Sequence, residues 1–329
     1  MQFRKWFLVL GVTMTLQPIA TAEPNSLTTY QVVSLEKEYR RFWSEASGKS
    51  FAVQVMAWDK IIEKPHQAFY DSFVWNKKSN PKWEERKQRR LMEMFGKYPN
   101  LNPSIETYFK NFPTTLELQV AKFKTQFKDA NFKLPIYAVP STTFNGKGGE
   151  SGGQTVLAFG IDMIADRHDD TDVLYSHELF HIYHTDTIGI NEKVFTEQGK
   201  LTLPLWLEGL ATYVSGSFNP SATEAIILMA DDLAKLNHKD LQWLASAFLK
   251  EAEGKALDLK NPGIYTKWFG FGGEKLRKDL PDRCGYLLGL NVVRHLTKTN
   301  GMNEMVHWKV PEVHRYVLKA LKELTAKDN

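Results

Sequence analysis

The run TDVLYSHELFHIYHTDTI, residues 171–188, constrains this chain more than any other stretch. It reads as a helix. Asp169, Asp170, Thr171 and Asp172 offer N-caps and favourable charge at its start, and Gly189 follows its end. Successive helical residues turn by about 100°, so His177 and His181 point within about 40° of each other, one turn apart. That spacing lets two imidazoles take adjacent corners of a tetrahedral zinc at about 2.0–2.1 Å. Glu178 then lies over the remaining coordination position, where it can take a proton from water acidified by the metal. His184 lies about 20° from His177 around the helix but about 10.5 Å along its axis, too far to share one ion. It is expected either behind the ligands, facing substrate, or simply as a structural histidine.

A zinc held by two histidines needs a third protein ligand, with water in the fourth position. The metzincin continuation H-E-x-x-H-x-x-G-x-x-H fails, because His184 stands where its glycine belongs. The alternative is a glutamate on a following helix, and LPLWLEGLATYVSG supplies Glu208. It sits among Leu205, Trp206, Leu207, Leu210 and Val214, where an unpaired carboxylate is costly to bury and a cation would offset that cost. Gly209 and Ala211 beside it are small enough to let two helices approach closely.

HELFH followed by LPLWLEGLATYVSG resembles the gluzincins, metallopeptidases whose third zinc ligand is a glutamate on a second helix. DRCGYLLGLNVVRHL is similar to the Gly-Tyr helix of predicted zinc-dependent proteases in the same peptidase-MA-like clan. The resemblance covers about residues 133–300. It implies one zinc per chain held by His177, His181 and Glu208, with Glu178 as general base and Tyr286 as donor to the oxyanion. It also implies that the strand in TVLAFGIDMI lies at a sheet edge and pairs with the substrate backbone. The G-x-M-E-N motif that holds a free amino terminus is absent, so exopeptidase action is not supported.

Around these motifs the chain reads as mostly helical with a small sheet, an α+β arrangement. YQVVSLEKEYRRFW, FAVQVMAWDKII, PKWEERKQRRLMEMF and PTTLELQVAKFKTQF repeat apolar residues three or four apart, with Gly96 and Pro99 marking a stop. KLPIYAVPS and TVLAFGIDMI read as strands, and FNGKGGESGGQT between them as a glycine-rich hairpin tip. That loop lacks the Lys-Ser/Thr pair and following helix of a phosphate-binding loop. Later helices are expected in ATEAIILMADDLAKL, LQWLASAFLKEAEG and PEVHRYVLKALKEL.

The N-terminus carries Arg4 and Lys5, an apolar run from Trp6 to Leu16, and Ala20-Thr21-Ala22 before Glu23, the pattern of a cleaved signal peptide. The expected organisation is a leader at 1–22, a helical region at 23–132, and a gluzincin-like domain at 133–329. A periplasmic or secreted protein follows, with no stable membrane span after cleavage. Its 42 basic and 38 acidic residues are interspersed, which excludes a nucleic-acid surface. Cys284 is the one cysteine, so no intramolecular disulfide forms. The expected activity is hydrolysis of peptide or protein substrates. The alternatives are a zinc-binding scaffold without turnover and a zinc hydrolase of a non-peptide substrate.

Overall fold

The computed structural model of the chain describes residues 29–252 and 263–325. The expected leader at 1–22 therefore lies outside the described residues. The fold is mostly helical with a four-stranded mixed sheet, and it divides into two compact units, one ending at Thr171 and the other beginning at Asp172. The boundary anticipated near residue 132 falls inside the first unit, just ahead of a strand that pairs with the chain's first strand.

The first unit opens on β1 (Gln31–Ser34), α1 (Glu36–Ala46) and α2 (Phe51–Trp58). The chain then winds through π and 3-10 turns around the single-turn α3 (Gln67–Phe69). YQVVSLEKEYRRFW is thus not one helix. Val32 and Val33 are β-branched and favour an extended backbone, which pairs in parallel with β2 (Pro135–Val139).

The anticipated stop at Gly96 and Pro99 does not occur either. Helix α4 runs 44 residues, Trp83–Gln126, straight through Pro99, Pro103 and Pro113. Each interior proline costs about 3 kcal/mol. The apolar face that offsets this continues past all three, through Leu91, Phe95, Tyr98, Ile105, Phe109, Phe112, Leu116 and Phe123, all buried.

The glycine-rich segment is mostly strand. Gly146–Ser151 form β3, antiparallel to β4 (Gln154–Gly160), and only Gly152 and Gly153, with φ of 61° and 79°, make the hairpin turn. Such positive φ at both loop residues is the backbone a two-residue hairpin needs. The strand order β1-β2-β4-β3 puts β4 inside the sheet, parallel to β2 on one side and antiparallel to β3 on the other. Its backbone groups are taken on both flanks, so the strand addition expected for TVLAFGIDMI is ruled out. The last four residues of that stretch begin α5 (Ile161–Arg167) instead. Asp162 there is fully buried and accepts hydrogen bonds from the amides of Ser141 (2.7 Å) and Thr142 (2.9 Å) and from the Tyr98 hydroxyl (2.8 Å).

The second unit is helical: α6 (Thr171–Ile188), α7 (Glu192–Gln198), α8 (Thr202–Phe218), α9 (Glu224–Leu228), α10 (His238–Ala252), α11 (Gly263–Phe269), α12 (Cys284–Leu296), α13 (Met302–Met305) and α14 (Val310–Thr325). ATEAIILMADDLAKL does not stay helical, because Met229 takes a left-handed φ of 50° and ends α9. Helices α8 and α12 touch backbone to backbone. A β-carbon on Gly209 would fall 2.4 Å from the carbonyl carbon of Gly289, and one on Gly289 would fall 2.6 Å from the Leu205 carbonyl oxygen. Behind this contact Trp206 of α8 stacks on Trp308 at 5.2 Å, and Trp308 on Tyr316 of α14 at 4.1 Å. Among the described residues no helix is long and apolar enough to cross a membrane.

Candidate metal centre

Two elements build the centre. Helix α6 is buried on nearly every side, and it carries His177, Glu178 and His181 at 3%, 3% and 7% exposure. Helix α8 presents Glu208 at 4%. The Asn219 side-chain amide ties the end of α8 to the start of α6. It donates to the carbonyl of Ser215 (2.9 Å), the hydroxyl of Ser176 (3.1 Å) and the carbonyl of Asp172 (3.3 Å).

The three expected ligands converge. The Nε2 atoms of His177 and His181 lie 3.0 Å apart, and Oε2 of Glu208 lies 3.4 Å from each. For a tetrahedral ion with bonds of about 2.0–2.1 Å, the spacing between ligand atoms is about 3.3–3.4 Å. A point about 2.05 Å from all three atoms stands about 0.8 Å off their plane, against about 0.7 Å in an ideal tetrahedron. The atoms also lack good partners: Oε2 of Glu208 is buried and has only the two imidazole nitrogens beside it at 3.4 Å, with no well-formed hydrogen bond. A buried polar atom left so costs about 1–3 kcal/mol. His177, His181 and Glu208 therefore form a buried group that can hold a metal ion.

The electrostatics suit a cation. Burial holds the His177 imidazole down at about 4, against the pull of Glu208, so it is neutral at neutral pH and has a lone pair to give. For Glu208 burial acts upward, but the His181 and His177 imidazoles outweigh it and keep the group a carboxylate. Glu178 is the opposite case. Burial, then the charge of Glu208, push its carboxyl well above the usual carboxylate range, and its Oε2 makes no hydrogen bond.

Helix α12 brings Tyr286 to the centre. Its ring stacks on the His177 imidazole at 6.3 Å with 29° between planes, and 9% of the residue is exposed. His184 does not join the ligands or face solvent. It is fully buried, packs on the Phe180 ring at 5.0 Å, and makes no hydrogen bond through either ring nitrogen.

Two neighbours escaped the sequence reading. Arg283 caps α12 with a left-handed φ of 65° and lays its guanidinium 4.2 Å from the Tyr286 ring centroid. Its place three residues before Tyr286, on the same helical face, was the available signal. Tyr265 of α11 has no motif around it. Its ring packs on Phe269 at 5.2 Å, which in turn meets Tyr286 at 6.1 Å, and burial, then the charge of Glu208, push its phenol well above the usual range.

No protein-family model, curated protein or solved structure matches this chain. The centre therefore stands on its own geometry and donor chemistry.

Proposed function

We propose that this chain is a zinc-dependent metallopeptidase of gluzincin type, exported through its leader-like N-terminus to a periplasmic or secreted location. The observation that carries the reading is the convergence of His177, His181 and Glu208 beside a buried, unpartnered Glu178. Two nitrogens and one carboxylate oxygen at tetrahedral spacing are the donor set of a catalytic zinc. When bound, zinc supplies Lewis acidity, which polarises a carbonyl and lowers the pKa of water.

The chain's own residues do the rest. Glu178, one residue from the first histidine of the cluster, takes a proton from water and returns it to the leaving amine. Tyr286 keeps its phenol protonated, since burial and then Glu208 push it upward. It can then donate to the oxygen on which negative charge develops. Neutral His177 and ionised Glu208 are ready to ligate without losing protons. An inert scaffold gains nothing from Glu178, because a buried carboxyl oxygen with no hydrogen bond only costs stability.

The test is metal content and proteolysis of the purified mature protein beside Glu178→Gln and Glu208→Ala. Wild type should carry about one zinc and cleave peptides. Glu178→Gln should keep the zinc and lose about 10²–10⁴-fold in turnover, whereas Glu208→Ala should lose metal affinity. Full activity in Glu178→Gln would refute the mechanism. Zinc binding undiminished by Glu208→Ala would refute the ligand set.

A further inference from the structure

Arg283 is a buried cation. It is 9% exposed, and among the described residues no carboxylate pairs with it. Nη1 donates a long hydrogen bond to the Met229 carbonyl at 3.4 Å, and the Tyr286 side chain accepts a further one. Lys87, equally buried at 9%, shows the usual arrangement: its ammonium holds Asp59 and Glu63 at 2.6 Å each. A guanidinium carries five N–H donors, and a desolvated charge needs them occupied.

The surroundings fix what occupies them. The guanidinium lies over the Tyr286 ring at 4.2 Å and the Phe271 ring at 5.1 Å. Aromatic faces favour the cation, but apart from the Tyr286 hydroxyl they offer no acceptor to its five N–H donors. The paired N–H groups on its edge match the two oxygens of a carboxylate. Tyr286 in turn stacks on His177, so the guanidinium is separated from a ligand imidazole by two ring spacings, 4.2 Å and 6.3 Å. An extended peptide advances about 3.3–3.6 Å per residue. The group that Arg283 meets therefore lies within about three residues of a bond held at the metal centre.

We infer that Arg283 binds a carboxylate of the substrate close to the cleaved bond, so that the site selects acidic peptides. The carboxylate is either the peptide's C-terminus or an Asp or Glu side chain. The inference rests on the metallopeptidase reading for the identity of the ligand as a peptide.

The test is calorimetric binding to zinc-loaded Glu178→Gln protein, which holds peptides uncleaved. The probes are acetyl-Ala-Ala-Ala-Ala as free acid and as C-terminal amide, and amides carrying Asp or Asn at each position in turn. At least tenfold tighter binding of the free acid assigns Arg283 to the C-terminus. The same preference for one Asp peptide over its Asn partner assigns it to a side chain. Adding Arg283→Gln should abolish the preference while zinc content and unfolding midpoint stay unchanged, and Arg283→Lys should retain part of it. Equal affinity for carboxylate and amide probes overturns the inference even if no Arg283 variant folds. A preference that survives Arg283→Gln overturns it too. Cleavage is read separately in wild type, so a carboxylate preference without turnover would sink the peptidase reading and leave Arg283 as the anion-binding residue.

Discussion

Replacing Gly209 with alanine should damage both the fold and the metal centre, through one contact. The added β-carbon would lie 2.4, 2.5 and 2.7 Å from the carbonyl carbon, oxygen and Cα of Gly289, and real β-carbons essentially never come within 3.0 Å. These are backbone atoms of α12, so no side-chain rotation relieves the clash. Restoring a contact of 3.4 Å requires α8 and α12 to separate by about 1 Å, a kind of overpacking that costs about 1–3 kcal/mol. Glu208 is the adjacent residue and must move with α8. Its oxygen now stands 3.4 Å from each histidine nitrogen. A shift of that size exceeds the roughly 0.5 Å tolerance of a functional constellation, and zinc affinity should fall at least about tenfold. Urea denaturation of the metal-free protein reads the first effect, and competition with a chromophoric chelator reads the second. An alanine variant with the wild-type unfolding midpoint and wild-type zinc affinity would refute the reasoning. Loss of stability with intact affinity would show that the close crossing does not position Glu208.

The buried His184 makes the metal-free protein acid-sensitive. Burial, with His181 and His307 nearby, lowers its pKa to about 3, so the folded chain keeps it neutral while the unfolded chain protonates it below about 6.5. Stability should therefore be full above about pH 6.5 and fall as pH drops toward 3, at up to about 1.4 kcal/mol per pH unit. His184→Phe should flatten that slope in urea titrations, and an unchanged slope would remove His184 as its source. In the first unit, Lys87→Met leaves Glu63 buried with only the indole donors of Trp58 (2.7 Å) and Trp75 (3.0 Å). Breaking such a pair should cost about 3–5 kcal/mol, and Lys87→Met with Glu63→Gln should recover much of it; tryptophan fluorescence during unfolding reports both. Asn219→Ala removes the amide that bridges α8 to α6. It should lower stability by about 1–3 kcal/mol and weaken zinc binding without abolishing it, whereas unchanged chelator competition would mean the helices hold their register without it.

The ligands were legible because their geometry is local. His177 and His181 are one turn apart on one helix, and helix periodicity alone brings their side chains together. Glu208 was legible for an energetic reason, as a carboxylate in an apolar helix that needed a cation. The glycine beside it announced a close crossing, but which backbone it meets, that of Gly289, depends on the path of α12. The misreadings were local rules overruled by long-range packing. Gly96 and the three prolines fail to end α4 because its apolar face stays buried along its length. Gly146–Ser151 became strand because β4 offered a pairing edge, and that same pairing took β4 out of the reach of a substrate. Tyr265 was invisible for the same reason: nothing in its neighbours shows that it lies near Glu208. Sequence by itself determined the donor set, since donor chemistry and helical spacing are properties of a few adjacent residues. Tertiary structure alone decided that the donors converge and that Tyr286, carrying the Arg283 guanidinium on its ring, stacks on one of them, because both depend on where distant helices cross.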